Sequence, residues 1–106
     1  MQYVKPSDQK TNCLRWRPNE SWSHVLKKLE IAYYLRRQGW SFYTEVNFTT
    51  PYSGRADLLV FQGKQRIIIE VLETEKTLTE SKKRNYPPWE ILVVHAKEQF
   101  TEALIQ

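Results

Sequence analysis

The chain has 106 residues, of which 41% are hydrophobic and 26% are charged. These proportions are typical of one globular domain and exclude a disordered or collagen-like chain. No apolar run approaches the roughly 18 residues of a membrane span, and the first residues lack the hydrophobic core of a signal peptide. We therefore expect no membrane partner and a cytoplasmic location. The single cysteine, Cys13, excludes an internal disulfide and a zinc cage of several thiolates.

The positive charge is concentrated at the start of the chain. The formal net charge is +4, but residues 1–37 hold eight basic and three acidic residues, whereas residues 38–106 hold eight and nine. Trp16, Trp22 and Tyr33 lie among the early cations. Cations neutralise phosphates and aromatic rings stack on bases, so this pattern favours a nucleic-acid partner. A solvated basic surface without a partner is the alternative.

The first segment lacks sustained periodicity, and the rest of the chain has it. We predict an irregular arm over residues 1–19, which rests on the core through Leu14 and Trp16, followed by a single domain over residues 20–106.

The domain is predicted to begin with a helix that Asn19 or Ser21 caps and that ends near Gly39. His24 and Lys28 lie four residues apart on one side of it. A different side carries apolar residues at helical spacing, and we predict that this side packs on a sheet. Its residues are Trp22, Val25, Leu26, Leu29, Ala32 and Tyr33.

Three strands should follow the helix. Residues 40–48 are rich in aromatic and β-branched types, and two apolar runs, 56–61 and 66–72, flank a two-residue turn at Gly63 and Lys64. The last run is apolar on both faces, which indicates a central strand covered on both sides.

The rest of the chain predicts a crossover. Residues 75–86 have weak helical character, 91–94 form a short buried strand, and 96–105 have the spacing of a helix. The resulting order is helix, three strands, helix, strand, helix. It predicts an α/β fold with a central mixed sheet flanked by helices.

The predicted hairpin fixes which residues face each other. If the loop has two residues, Gln62 faces Gln65 and Asp57 lies directly across from Glu70. Opposed like charges are destabilising, so these carboxylates need a compensating charge. A divalent cation with oxygen ligands, Mg²⁺ or Mn²⁺, would supply it.

A second explanation for the acid pair needs no metal. Arg55, Arg66 or Lys82 could form buried ion pairs with the two carboxylates. The sequence leaves both explanations open.

The order of elements and acids resembles the PD-(D/E)XK nuclease-like superfamily. The resemblance covers about residues 20–95 and depends on Gly54-Arg55-Ala56-Asp57 at the start of one strand and Ile68-Ile69-Glu70-Val71 in the next. It implies a small restriction-endonuclease-like αβββαβ core. It also implies that Asp57 and Glu70 bind Mg²⁺ and that a metal-activated water attacks a phosphodiester of DNA.

This chain departs from the family pattern two residues after the second acid. The family has a lysine there, and the residue here is Leu72. Lys28 of the first helix or Lys82 of the later helix could supply the missing ammonium group, and a surface cation that contacts a backbone phosphate or nothing is the alternative for each.

Further side chains are candidates for the same site. Glu45 could be a third metal ligand, or an exposed strand acid. His24 could bind a substrate phosphate or carry a proton, or be a packing residue. Lys83, Arg84 and Arg55 could hold DNA phosphates, and a solvated surface is the alternative.

These observations predict a metal-dependent DNA endonuclease. The alternative is a catalytically degenerate nuclease fold that serves as a DNA-binding or assembly module. A structural component of a larger protein complex is a third option, and a homodimer is compatible with all three.

Overall fold

The computed structural model describes residues 1–74 and 77–98. The elements follow the predicted order as far as the last strand. The helix predicted over residues 96–105 lies, apart from its first three residues, outside the described part. After a 3-10 turn at Pro6–Asp8, the elements are α1 (Trp22–Arg37), β1 (Ser41–Asn47), β2 (Arg55–Gln62), β3 (Gln65–Leu72), α2 (Glu80–Lys83) and β4 (Glu90–His95).

The four strands form one mixed sheet in the order β1, β2, β3, β4. The first three strands pair antiparallel, and β4 runs parallel to β3 after the crossover that contains α2. Gly63 has φ +58° in the tight turn between β2 and β3, a conformation that glycine adopts at little cost. The predicted α/β class and hairpin are thus confirmed.

A core lies on each face of the sheet, and β3 contributes to both. Ile67 and Ile69 pack in the first core, which includes Leu35 of α1. Ile68 and Leu72 pack in the second core on the opposite face. The prediction of a central strand covered on both sides is confirmed for β3.

Helix α1 begins and ends where the sequence indicates. The side chain of Ser21 caps its first turn by accepting a hydrogen bond from the backbone N–H of His24, 3.2 Å away. Its last helical residue is Arg37, and Gly39 follows with φ +82°.

The prediction of which side of α1 packs on the sheet was wrong. Trp22 and Tyr33 are 74% and 65% exposed, and Leu26 and Leu29 are also exposed. The side of His24 and Lys28 is the one that is buried, together with Ile31 and Leu35. Both sets repeat at intervals of four, three and four residues, so helical periodicity could not distinguish them. The residues of the exposed set are Trp22, Leu26, Leu29 and Tyr33.

The N-terminal arm lies beside the edge strand β1. The backbone N–H of Lys5 donates to Asn47 O at 3.0 Å, and that of Asn12 donates to Phe42 O at 2.8 Å. Val4 is buried in the second core, whereas Trp16 is 58% exposed. The arm therefore contacts the core, but not through Trp16 as predicted, because it instead follows the hydrogen-bonding edge of β1.

Helix α2 is shorter than the weak pattern over 75–86 predicted. It comprises four residues, and the side chain of Thr79 caps it by accepting from Lys82 N at 3.3 Å.

Within residues 1–74 and 77–98, no helix is both long and apolar enough to cross a membrane.

Candidate functional site

The two predicted acids lie where β2 and β3 separate. The paired positions run from Gln62 with Gln65 to Leu58 with Ile69, which is the predicted register. One residue further, side chains bridge the two strands. The backbone N–H of Asp57 donates to Glu70 Oε1 at 3.3 Å, and that of Val71 donates to Asp57 Oδ2 at 2.8 Å.

Both carboxylates are buried yet line one cleft. Asp57 and Glu70 are 9% and 4% exposed. The cleft has a volume of about 380 Å³ and opens between α1 and the segment that contains α2. His24, Lys82, Arg55 and Arg17 are among its other lining residues. The site thus combines two acids with several cations around them.

Helix α1 contacts Asp57 through His24. The Nε2 atom of His24 lies 3.4 Å from Asp57 Oδ2 and 3.0 Å from Val71 O. Its Nδ1 atom contacts Glu20 Oε2. Burial lowers the pKa of His24, but the two carboxylates outweigh burial and raise it to about 9. The imidazole is therefore a cation at neutral pH.

The same contacts keep Asp57 ionised. Burial favours its neutral form, but hydrogen bonds from His24 and Val71 N, with the charges of His24 and Lys28, lower its pKa below the ordinary value. Asp57 is accordingly an anion in the cleft.

Glu70 has a different environment. Among the described residues, no lysine, arginine or histidine lies within 4.0 Å of its carboxylate. Burial and the nearby charge of Asp57 raise its pKa from 4.5 to about 8, while the Tyr86 hydroxyl and the more distant Lys82 act in the opposite direction. Among the described residues, Glu70 therefore has no cation within ion-pair distance.

The described residues do not form the ion pairs that the metal-free explanation predicted for the two acids. Within residues 1–74 and 77–98, neither acid forms an ion pair with Arg55, Arg66 or Lys82. Among the residues that the structure describes, Asp57 has an ion pair with His24 of α1, and Glu70 has none.

Lys28 is fully buried and does not line the cleft. Its Nζ atom lies 3.2 Å from Glu20 Oε2, 3.2 Å from Glu45 Oε2 and 2.7 Å from Arg15 O. Three oxygens thus surround its ammonium group. Of the two predicted replacements for the family lysine, the structure places this one in a buried ion network.

Glu45 belongs to that network and not to the cleft. Besides Lys28, it contacts Arg17 Nε at 3.1 Å. Its φ of +50° changes the alternation of β1, so that Tyr43 and Val46 both pack in the second core. Glu45 thus combines a left-handed backbone with a side-chain carboxylate that pairs with Lys28 of α1. Glu45 is therefore placed as the partner of two cations and not beside the two cleft acids.

The other predicted lysines and arginines differ in whether they line the cleft. Lys82 lines the cleft, as expected if the crossover brings α2 beside the end of β3. Lys83 is exposed and pairs with Glu80 at 3.5 Å, and Arg84 is exposed outside the cleft. Arg55 lines the cleft. Of the predicted lysines and arginines, Lys82 and Arg55 are thus the two that line the cleft with the acids.

Sequence reasoning missed two buried groups beside the acids. Glu20 precedes α1, and its side chain is 2% exposed and contacts His24. The spacing of four residues between Glu20 and His24 is the signal that could have indicated their contact. Tyr86 packs against Gly54 and donates to Arg55 O at 3.0 Å. Its position depends on the path of a loop, and no local pattern indicates it.

The donor set limits which metal ions the cleft could hold. Among the described residues, no group of three or more histidine, cysteine, aspartate or glutamate side chains could hold a metal ion. Asp57 and Glu70 form a pair of oxygen donors. This set is typical of Mg²⁺ or Mn²⁺, since Mg²⁺ commonly takes one or two carboxylates and retains several waters.

No family model, no curated protein and no solved structure matches this chain. The resemblance to PD-(D/E)XK nucleases stays a prediction from the sequence.

Proposed function

We propose that this protein is a Mg²⁺-dependent DNA nuclease of the PD-(D/E)XK type, in which Asp57 and Glu70 bind the metal. The observation that carries the proposal is the meeting of these two buried carboxylates at one cleft, where Glu70 has no cationic partner within ion-pair distance among the described residues. The order of the elements, helix, three strands, helix and strand, supports it as well.

The charge of the cleft favours a divalent cation. Two neighbouring buried carboxylates repel each other, and one imidazolium compensates only one of them. The proton on Glu70 that its raised pKa implies is one solution. A divalent cation is the other, because it would displace that proton and neutralise both acids.

Backbone N–H groups and His24 orient the two acids before a cation binds. Val71 N and His24 engage Oδ2 of Asp57, and Asp57 N engages Oε1 of Glu70. The second oxygen of Asp57 can then serve the metal. When bound, Mg²⁺ would acidify a coordinated water and stabilise the charge that develops on the phosphate.

The cations around the cleft would bind the DNA backbone. Arg17, Arg55 and Lys82 line its wall, where they can contact phosphates on either side of the bond to be cleaved. Lys82 takes the role of the lysine that the family has at the position of Leu72. Lys27 and Lys28 contribute little to this surface, since both are buried in ion pairs.

A second candidate function follows from Leu72. This residue lines the cleft and is 5% exposed, so the family's lysine position holds a buried apolar side chain. A nuclease fold that has lost activity would retain the basic cleft and serve as a DNA-binding or assembly module.

Cleavage assays with Asp57→Asn test the proposal. We expect cleavage of duplex, branched or single-stranded DNA that requires Mg²⁺ or Mn²⁺, and a loss of at least roughly 100-fold in Asp57→Asn, because the variant removes a metal ligand. The control is Glu90→Gln, which changes an exposed acid on β4.

The outcomes separate the two candidates. DNA binding without metal affinity and without cleavage would favour the inactive module. Unchanged cleavage by Asp57→Asn would show that the acid is assigned incorrectly.

A further inference from the structure

The acid that precedes helix α1 connects the buried ion network to the cleft. We propose that Glu20 is a positioning residue, which orients the imidazole of His24 so that His24 in turn holds the metal ligand Asp57. The inference deepens the proposed function and depends on it, because it assigns a role toward the same metal site.

Glu20 is fixed from three directions. The backbone N–H of Arg17 donates to its Oε1 atom at 3.0 Å, and Lys28 Nζ lies 3.2 Å from its Oε2 atom. His24 Nδ1 contacts the same Oε2 atom. With its side chain 2% exposed, this carboxylate has little freedom to turn. It therefore provides a rigid acceptor at the start of α1.

A rigid acceptor at Nδ1 determines where the other ring nitrogen points. The two nitrogens of an imidazole lie on different sides of the ring, so fixing one contact sets the direction of the second. In this protein Nε2 faces Asp57 Oδ2 at 3.4 Å and Val71 O at 3.0 Å. The chain of contacts from Glu20 through His24 thus joins α1 to β2 and β3.

The end of this chain is the carboxylate of Asp57. His24 and Val71 N approach the same oxygen, Oδ2. The hydrogen bond from Val71 N and the ion pair with His24 together restrict the rotation of the carboxylate. Groups that orient a metal ligand in this way commonly change metal affinity by about 10- to 100-fold when they are altered.

Lys28 complicates a simple deletion of Glu20, and the chain offers a matched control for it. Lys28 contacts Glu20 and Glu45, whereas Glu45 pairs with Lys28 and Arg17 and, among the described residues, forms no ion pair with His24. Glu45→Gln therefore disturbs the same buried ammonium group without disturbing the imidazole.

The experiment compares Mn²⁺ affinity, measured by electron paramagnetic resonance of the free ion, in four proteins. They are the wild type, Glu20→Asp, Glu20→Gln and Glu45→Gln. Aspartate retains a negative charge for Lys28 but is too short to hold His24, so we expect about 10- to 100-fold weaker binding. Glutamine retains an oxygen that reaches Nδ1, so we expect affinity within about threefold of the wild type, and the same for Glu45→Gln.

A second measurement does not depend on metal or activity. The ¹⁵N and ¹H resonances of the His24 ring report whether Nδ1 keeps its partner, and we expect them to change in Glu20→Asp and to persist in Glu45→Gln. Circular dichroism and the unfolding midpoint establish that each variant is folded.

The outcomes distinguish the two proposals. If the wild type binds no Mn²⁺, the proposed function fails, and the ring resonances still test whether Glu20 orients His24. If the wild type binds Mn²⁺ but Glu20→Asp retains its affinity and ring resonances, the positioning role is wrong. Equal losses in Glu20→Asp and Glu45→Gln would also overturn it, since the effect would then come from Lys28.

Discussion

The two faces of helix α1 differ in a way that reverses the usual distribution of residues. The face against the sheet buries His24 and Lys28, whereas the opposite face leaves Trp22 and Tyr33 more than half exposed. Hydrophobic burial alone would favour the other orientation. The polar face is buried because acids outside the helix compensate its cations.

Those acids come from two different parts of the chain. Glu20 precedes α1, and Glu45 lies in β1. Apolar neighbours on the same face, Ile31 and Leu35, contribute to the first core. A polar residue at a core position is thus compatible with folding when the tertiary structure supplies its partners.

Removing the charge of Lys28 is expected to have the largest effect on the free energy of unfolding. Lys28→Met keeps an unbranched side chain but leaves two buried carboxylates without their ammonium partner. We expect a loss of about 3 to 5 kcal/mol in the free energy of unfolding, measured by chemical denaturation. Adding Glu45→Gln should recover part of that loss, and a single variant as stable as the wild type would contradict the ion network.

The pH dependence of stability should be the next largest effect. The pKa of His24 is raised from 6.5 to about 9 and that of Glu70 from 4.5 to about 8, so both groups bind protons more tightly in the folded protein. Their stabilisation is present at low pH. That of Glu70 is lost as pH rises from 4.5 to 8, and that of His24 as pH rises from 6.5 to 9.

Between pH 6.5 and 8 both losses overlap in the metal-free protein. The free energy of unfolding should fall there by roughly 1 to 2 kcal/mol per pH unit. Denaturation curves at several pH values measure this slope. Glu70→Gln should make the slope shallower, and Mg²⁺ should raise the unfolding temperature more at pH 8 than at pH 6, because it binds the deprotonated acid. A slope of the opposite sign would contradict the environments described for both groups.

Substitutions on the exposed face of α1 should change the free energy of unfolding least. Leu29→Ala removes a side chain that is 49% exposed, and we expect a change within about 0.5 kcal/mol. Leu35→Ala is the matched contrast on the buried face, where the expected loss is about 2 to 5 kcal/mol. Equal losses in the two variants would indicate that the exposed face is covered in solution.

The register of the acid pair could be predicted because one local feature fixes it. The two-residue turn after Gln62 determines the pairs from Gln62 with Gln65 to Leu58 with Ile69, and Asp57 and Glu70 lie at the next level. The approach of Lys82 to the cleft followed from the same reasoning, since a crossover after β3 must return beside that strand.

The contacts of the other candidate residues could not be predicted in this way. The sequence makes Lys28 and Lys82 equal candidates for the family lysine, and it does not show that Glu20 and Glu45 pair with the ammonium group of Lys28. Glu45 itself depends on a left-handed backbone in the middle of a strand, which no alternation pattern indicates. His24 was expected to bind a phosphate, carry a proton or be a packing residue, and its contacts with Glu20 and Asp57 could not be predicted beside those roles.

The sequence by itself determined the order of the elements, the hairpin register and the level at which two carboxylates meet. Each of these depends on spacing within one element or across one short turn, which the residues encode locally. Only the tertiary structure decided which face of α1 is buried and which cations reach the acids. Those outcomes depend on partners distant in the sequence, because a buried charge is stable only where such partners compensate its lost hydration.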